Sequence, residues 1–275
     1  MSDTIVGSDA ELLAHLHALL DQWVEQNKKQ YPGSDDLTES MAHTARQYLE
    51  YFLRDNSSLT AVELEDIARK LSPGTHNSGQ LADLIYRSVP QADALLLAAV
   101  MRWNWHNGKV GFQFLPDPAM EDIDEYWDQA ELLIDLLQTA TDGDPLRILT
   151  GEDRAFYESL PDTLTVYRGC SGISSDVAKA GLCWTTKRDI ADWFARRCRS
   201  EPVVVMASIS KRQIAFVKAS EHEIVVQPTI AREIKYRKHK EGWRPEMQWT
   251  PPACAVEAPA RPRRPYSASA RRSRR

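Results

Sequence analysis

The chain has 275 residues and a mass of 31.2 kDa, with 43% hydrophobic residues, 27% charged residues and a formal net charge of −5. That leaves room for two modest domains with a real core and an ordinary soluble charge content. It excludes a membrane span, because no apolar run approaches the roughly 20 residues that cross a bilayer, and no basic start followed by an apolar block marks a secretory signal.

Ser8-Asp9-Ala10-Glu11 reads as a capping box, and Leu12, Leu13, Leu16, Leu19, Leu20 and Trp23 follow at helical spacing until Tyr31-Pro32-Gly33. Leu37, Met41, Ala45, Tyr48 and Phe52 mark a second helix, and Thr60-Ala61-Val62-Glu63 caps a third. Pro73-Gly74 breaks the chain before a short helix near Leu81–Val89. Pro90 suits a first helical turn and opens a helix through Ala94–Met101 that is apolar nearly all round, with Gly108 as its stop. Such a helix belongs in the middle of a bundle. A last long helix, from about Ala119 to Thr141, has Ile123, Trp127, Leu133 and Leu137 as core candidates and the acidic run Glu121–Asp128 as its solvated first turns. Residues 1–143 therefore read as an all-α domain of five or six helices. Trp103, Trp105 and Trp127 in it read as packing residues.

The turn cluster Thr141-Asp142-Gly143-Asp144-Pro145 marks a boundary, and after a short helix (Asp153–Leu160) the pattern changes character. Leu164–Tyr167, Leu182–Thr185, Val203–Ser208, Ile214–Val217 and Ile224–Val226 are β-branched or alternating runs of strand length, with Ile230–Tyr236 as a candidate edge. Asp189–Arg197 is the one clear helix among them, with Ile190, Trp193 and Phe194 facing inward. Residues 144–250 thus predict a compact, mainly antiparallel β-domain, and the whole chain an α+β fold. From Pro251 the composition turns to Pro, Ala, Ser and Arg, the pattern of a disordered tail. Residues 231–275 carry 13 Lys/Arg against 4 Asp/Glu, so this end is basic and the rest of the chain acidic. Such a tail is either solvated or a contact for nucleic acid or an acidic protein face.

Cys170, Cys183, Cys198 and Cys254 have neither paired nor metal-ligand spacing, which points to free thiols in a reducing, cytoplasmic compartment and to no metal. No HExxH, P-loop or GxGxxG occurs, and the seven histidines are scattered. Three short elements between Thr163 and Pro228 carry the chemistry. Val166-Tyr167-Arg168-Gly169 ends an alternating run, where an arginine fork can meet a phosphate or carboxylate and Gly169 lets a ligand approach the backbone. A surface turn arginine fits the same residues. Trp184-Thr185-Thr186 closes a strand before a helix; the hydroxyls suit either a ribose or amide, or helix capping, and Trp184 either a flat ring or the core. Glu221 and Glu223 share one face if they lie on one strand. Two close carboxylates suit chemistry at an anomeric carbon, one stabilising an oxocarbenium-like centre while the other handles a proton.

In this order the three elements resemble the Arg–Ser–Glu class of mono-ADP-ribosyltransferases, which includes bacterial toxins, vertebrate ecto-transferases and phage-encoded enzymes. The likeness covers the stretch around Tyr167–Val226, and nothing before Gly151 shares in it. It implies an ADP-ribosyltransferase-like domain that cleaves NAD at the nicotinamide–ribose bond and transfers ADP-ribose to a macromolecule. Arg168 would then anchor NAD, aided by Tyr167, Gly169 and Trp184. Thr185 with Thr186 would replace the family's serine motif, Cys183 being the alternative aligned position. Glu223 would bond the ribose 2′-hydroxyl and stabilise the cation, and Glu221 would serve the acceptor. Protein arginine is the acceptor that Glu221 implies, with RNA or DNA as the alternative. A transferase fold acting only as a binding or inhibitory module is a further alternative, and a regulatory or neutralising protein is an expected partner.

Overall fold

The computed structural model describes residues 7–30, 33, 35–72, 78–105, 123–196 and 201–233. The Pro73-Gly74 break, the Gly108 stop, the Ala119 helix start, the Trp127 side chain and the basic tail lie outside what it describes.

Helix α1 (Asp9–Gln30) begins where Ser8 N and Oγ both donate to the Glu11 carboxylate at 2.7 and 2.9 Å. It buries Leu16, Leu20 and Trp23 completely. The expected second helix is shorter than its apolar spacing suggested. Helix α2 (Asp35–Arg46) ends six residues before Phe52, and a separate 3-10 turn (Leu49–Leu53) carries that ring inward while Leu37 stays exposed. Helix α3 (Ala61–Lys70) is capped as read: Thr60 and Glu63 exchange side-chain-to-backbone hydrogen bonds, which satisfies two otherwise orphaned N–H groups. Helix α4 (Ser78–Ser88) precedes the apolar helix α5 (Ala94–Asn104).

Pro90 does not open α5. Asp93 is its N-cap, accepting from Leu96 N at 2.7 Å, and Pro90 sits in the turn before it. A carboxylate there also complements the helix dipole, whereas a proline offers only its fixed φ. Every residue from Leu95 to Arg102 is buried, and α5 touches α3, α4, the 3-10 turn and the next helix, α6 (Ile123–Ala140). The all-round apolar helix is therefore central, each large side chain contributing roughly 1.5–3 kcal/mol on burial.

Helix α7 (Gly151–Ser159) leads into β1 (Thr163–Ser171). A short helix that the sequence reading lacked, α8 (Ser175–Ala180), is capped by Ser174 and precedes β2 (Cys183–Thr185) and α9 (Arg188–Arg196). Strands β3 (Pro202–Ser210), β4 (Phe216–Lys218), β5 (Glu223–Val225) and β6 (Ala231–Glu233) complete one antiparallel sheet, ordered β4-β5-β2-β1-β3-β6. The expected edge strand Ile230–Tyr236 is described only as far as Glu233; β6 occupies Ala231–Glu233, and Ile230 itself lies outside it and is 82% exposed. On α9 the inward residues are Ile190, Ala191 and Ala195; Trp193 and Phe194 are half-buried and meet edge to face at 5.0 Å. Small residues face inward because α9 lies close against β1: a Cβ on Gly169 would stand 1.7 Å from the Ala191 carbonyl oxygen.

The helices and the sheet share one core, running from Trp23 and Phe52 through Leu96 and Met101 to Trp184, Phe216 and Ile224. All the described residues fall within a single compact unit. An ion trio centred on a buried arginine joins the two halves: Arg102 of α5 reaches the half-buried Glu65 of α3 at 2.8 Å and Asp153 of α7 at 2.7 Å. No helix among the described residues is long and apolar enough to cross a membrane.

Candidate active site

Strand pairing gathers the three motifs. Tyr167 of β1 stands opposite Thr185 of β2, Thr185 opposite Glu223 of β5, and Glu223 opposite Lys218 of β4. Directly paired residues project to the same side of an antiparallel sheet, so these four form one cross-strand row. With strands about 4.8 Å apart, Tyr167 and Glu223 stand roughly 10 Å from each other. Residues 56 positions apart in the chain thereby flank a single Thr185.

The two glutamates do not share a strand. Glu221 ends a 3-10 turn (Ala219–Glu221), His222 adopts a left-handed conformation with φ 49°, and only Glu223 enters β5. The alternation that would have put both on one face therefore never starts. A sharp corner separates them instead. Glu221 pairs with Lys218 at 2.9 Å, while Glu223 sits behind it with its carboxyl against the Trp105 indole, whose Nε1 donates at 3.4 Å. The Cys183 thiol also lies within hydrogen-bonding reach of that carboxyl.

Burial pushes the Glu223 carboxyl above the usual carboxylate range, and the nearby Glu221 charge pushes the same way. The Cys183 and Trp105 donors and the Lys218 charge offset this only in part. Burial, with the Glu223 charge beside it, also holds the Cys183 thiol well above its ordinary value, so Cys183 is a neutral donor rather than a nucleophile. His222 is lowered, first by burial and then by the Lys187 charge, and its ring meets Phe156 edge to face at 5.5 Å.

Arg168 is in mid-strand, not at a strand end, because β1 continues to Ser171. Its Nη1 donates to the Cys183 carbonyl at 2.7 Å, and its guanidinium occupies the space above Gly181, where any Cβ would collide with it. Gly169 is accounted for by the close passage of α9 rather than by an open ligand face. Tyr167 is half-buried against Ala191, Ala195 and Val204. Trp184 lies wholly in the core with its Nε1 on the Gly181 carbonyl at 2.6 Å, so no ring face is left for a ligand. Thr185 Oγ1 accepts from Lys187 N at 3.1 Å, a local turn bond just ahead of α9 that is neither a helix cap nor a ligand contact, and Thr186 N donates to the His222 carbonyl at 3.2 Å. The latter bond ties the start of α9 to the glutamate corner.

Three residues around the carboxylates were not legible as site residues in the sequence. Trp105 read as packing, and it does pack, edge to face on Phe216 at 5.1 Å, while also reaching Glu223. Asp153 read as the start of a short helix, yet its Oδ1 accepts from Ala219 N at 2.8 Å and so holds the turn that carries Glu221. Lys218 carried no signal. It pairs with Glu221, three residues on, across the turn between β4 and β5.

Comparison with protein-family models, with curated proteins and with solved structures finds no match for this chain. Fold and geometry define its class no further than an α+β protein with a paired-carboxylate corner at one end of an antiparallel sheet.

Proposed function

We propose that this protein is a mono-ADP-ribosyltransferase that cleaves NAD between nicotinamide and ribose and transfers ADP-ribose to a macromolecular acceptor, protein arginine in the first place. The observation that carries the reading is the row Tyr167–Thr185–Glu223, which sets three separate sequence elements side by side on adjacent strands. Support comes also from the corner at His222, which keeps two carboxylates close in space but in different surroundings.

In this reaction the ribose C1′–nitrogen bond breaks and its electron pair leaves with neutral nicotinamide. The acceptor nitrogen then bonds to C1′ and gives up a proton. Ionised Glu223 faces the positive sugar and accepts from its 2′-hydroxyl, which is stabilisation by a preplaced charge in a partly dry site. Glu221, at the mouth of the corner, takes the acceptor's proton. Arg168, held against β2 through the Cys183 carbonyl, anchors the dinucleotide phosphates.

The test is incubation of purified protein with NAD labelled in its adenylate part, offered separately to an arginine-rich protein, RNA and DNA. Label on the protein acceptor, removed by Glu223→Gln, is the expected outcome. Label on nucleic acid alone transfers the reading to that acceptor, and no label together with no nicotinamide release overturns it.

A further inference from the structure

The helical half shares no motif with the proposed catalytic stretch, yet helix α5 touches it at two points. Trp105, the residue that closes α5, donates its indole N–H to Glu223 at 3.4 Å and rests its ring on Phe216 of the adjoining strand. Arg102, three residues earlier and so on the same side of the helix, bonds Asp153 at 2.7 Å, and the other Asp153 oxygen holds Ala219 N at 2.8 Å. The two chains of contact end on opposite sides of the Glu221–His222–Glu223 corner. Both originate on a helix whose residues Leu95 to Arg102 are all buried, so neither anchor can drift without disturbing the core.

We propose that Trp105 is a positioning residue for Glu223, with Arg102 and Asp153 fixing the preceding turn, so that the helical half is part of the active site. This rests on the transferase reading for its chemical consequence but not for its geometry. A carboxylate offers about four acceptor positions, so the Trp105 N–H and the Cys183 thiol fix its orientation and still leave positions for a substrate hydroxyl. Neutral donors suit that task. A cation in place of the indole would neutralise the charge that the sugar cation needs, whereas a neutral donor orients it and lowers the carboxyl's proton affinity only modestly. The charged and titratable groups around Glu223 are Glu221 on the turn, Lys218 on β4, and Cys183 on β2 with Arg168 behind it. Trp105 is what α5 adds to them.

The experiment is carbon-detected NMR titration of glutamate-labelled full-length protein, the Glu223 carboxyl being assigned by its loss in Glu223→Gln. Trp105→Phe keeps a ring on Phe216 and removes the N–H, so the Glu223 midpoint should move to higher pH. Trp105→His, which restores a ring N–H, should return it toward wild type. Nicotinamide release by Trp105→Phe should fall about tenfold through kcat rather than KM, the rate equivalent of a weak hydrogen bond to a charged group. Should Trp105→Phe fail to fold, wild type still decides: one indole N–H resonance must move with the Glu223 midpoint and stop moving in Glu223→Gln. An unmoved midpoint in Trp105→Phe, or no indole resonance that follows Glu223, overturns the proposal. A moved midpoint in a protein that releases no nicotinamide upholds the positioning and removes the transferase reading. An unmoved midpoint in an active enzyme does the reverse.

Discussion

Asp153 and Glu223 are both carboxylates set between α5 and the sheet, and they are treated in opposite ways. Asp153 receives the Arg102 guanidinium and a backbone N–H, a full set of charge-assisted bonds. Glu223 receives an indole and a thiol, both neutral, and the nearby cation Lys218 is paired with Glu221 instead. A partly buried acid with a cation of its own is held in place; a partly buried acid facing a second acid is held ready to change its charge. The lesson is that burial alone does not mark a reactive carboxylate. The character of its donors does.

The largest effect expected from this contrast is on stability. Arg102→Met leaves the partly solvated Glu65 and Asp153 without their cation, which should cost about 2–3 kcal/mol in denaturant unfolding, less than the loss from a fully buried pair. A loss below about 1 kcal/mol would mean that the trio is hydrated and that Asp153 is no more anchored than Glu223.

Next comes the corner that separates the glutamates. His222→Val puts a β-branched residue at φ 49° and should cost about 1–2 kcal/mol, with His222→Gly close to wild type. If valine is tolerated, the left-handed corner is not required and the two carboxylates can share a strand after all.

Glu221→Gln sharpens the contrast within the pair. Transfer to an acceptor should fall about a hundredfold more than NAD hydrolysis, the lower end for loss of a proton acceptor, because water does not need to be positioned by Glu221. Equal losses would assign Glu221 to the sugar site.

The smallest effect is thermal and depends on pH. Glu223 has a raised pKa in the folded protein, so its contribution is present below the unfolded carboxylate value and is lost as pH rises through the folded one. Glu223→Gln should therefore match wild type in melting temperature near pH 4, exceed it increasingly as pH rises above the unfolded carboxylate value, and hold a constant lead above the folded one. The opposite trend would make Glu223 a paired, structural acid like Asp153.

The sequence carried the elements better than their meeting points. The capping box at Thr60, the apolar helix α5 and the strand runs announce themselves locally, through spacing and side-chain type. Three of the expectations that failed did so where a local rule met a competitor. Pro90 lost the helix start to Asp93, which offers a hydrogen bond where proline offers only its φ. Phe52 followed helical spacing but sits on a 3-10 turn, which keeps a similar inward phase over a few residues. Glu221 and Glu223 followed strand spacing, yet the chain turns sharply at His222 between them. In the candidate site, Glu223 was singled out by its spacing from Glu221 and the β-branched run after it. Trp105 was not, since its bond crosses 118 positions and nothing local distinguishes it from the other buried aromatics.

The central claim is that Glu223 does chemistry, and nicotinamide release from NAD as a function of pH tests it most directly. Wild type should turn over with an acid limb displaced above the ordinary carboxylate range, because only ionised Glu223 supports the sugar cation. Glu223→Gln, folded and at least as thermostable at neutral pH, should release nicotinamide slower by roughly two to three powers of ten. Equal release by the two proteins, at every pH, would contradict the account.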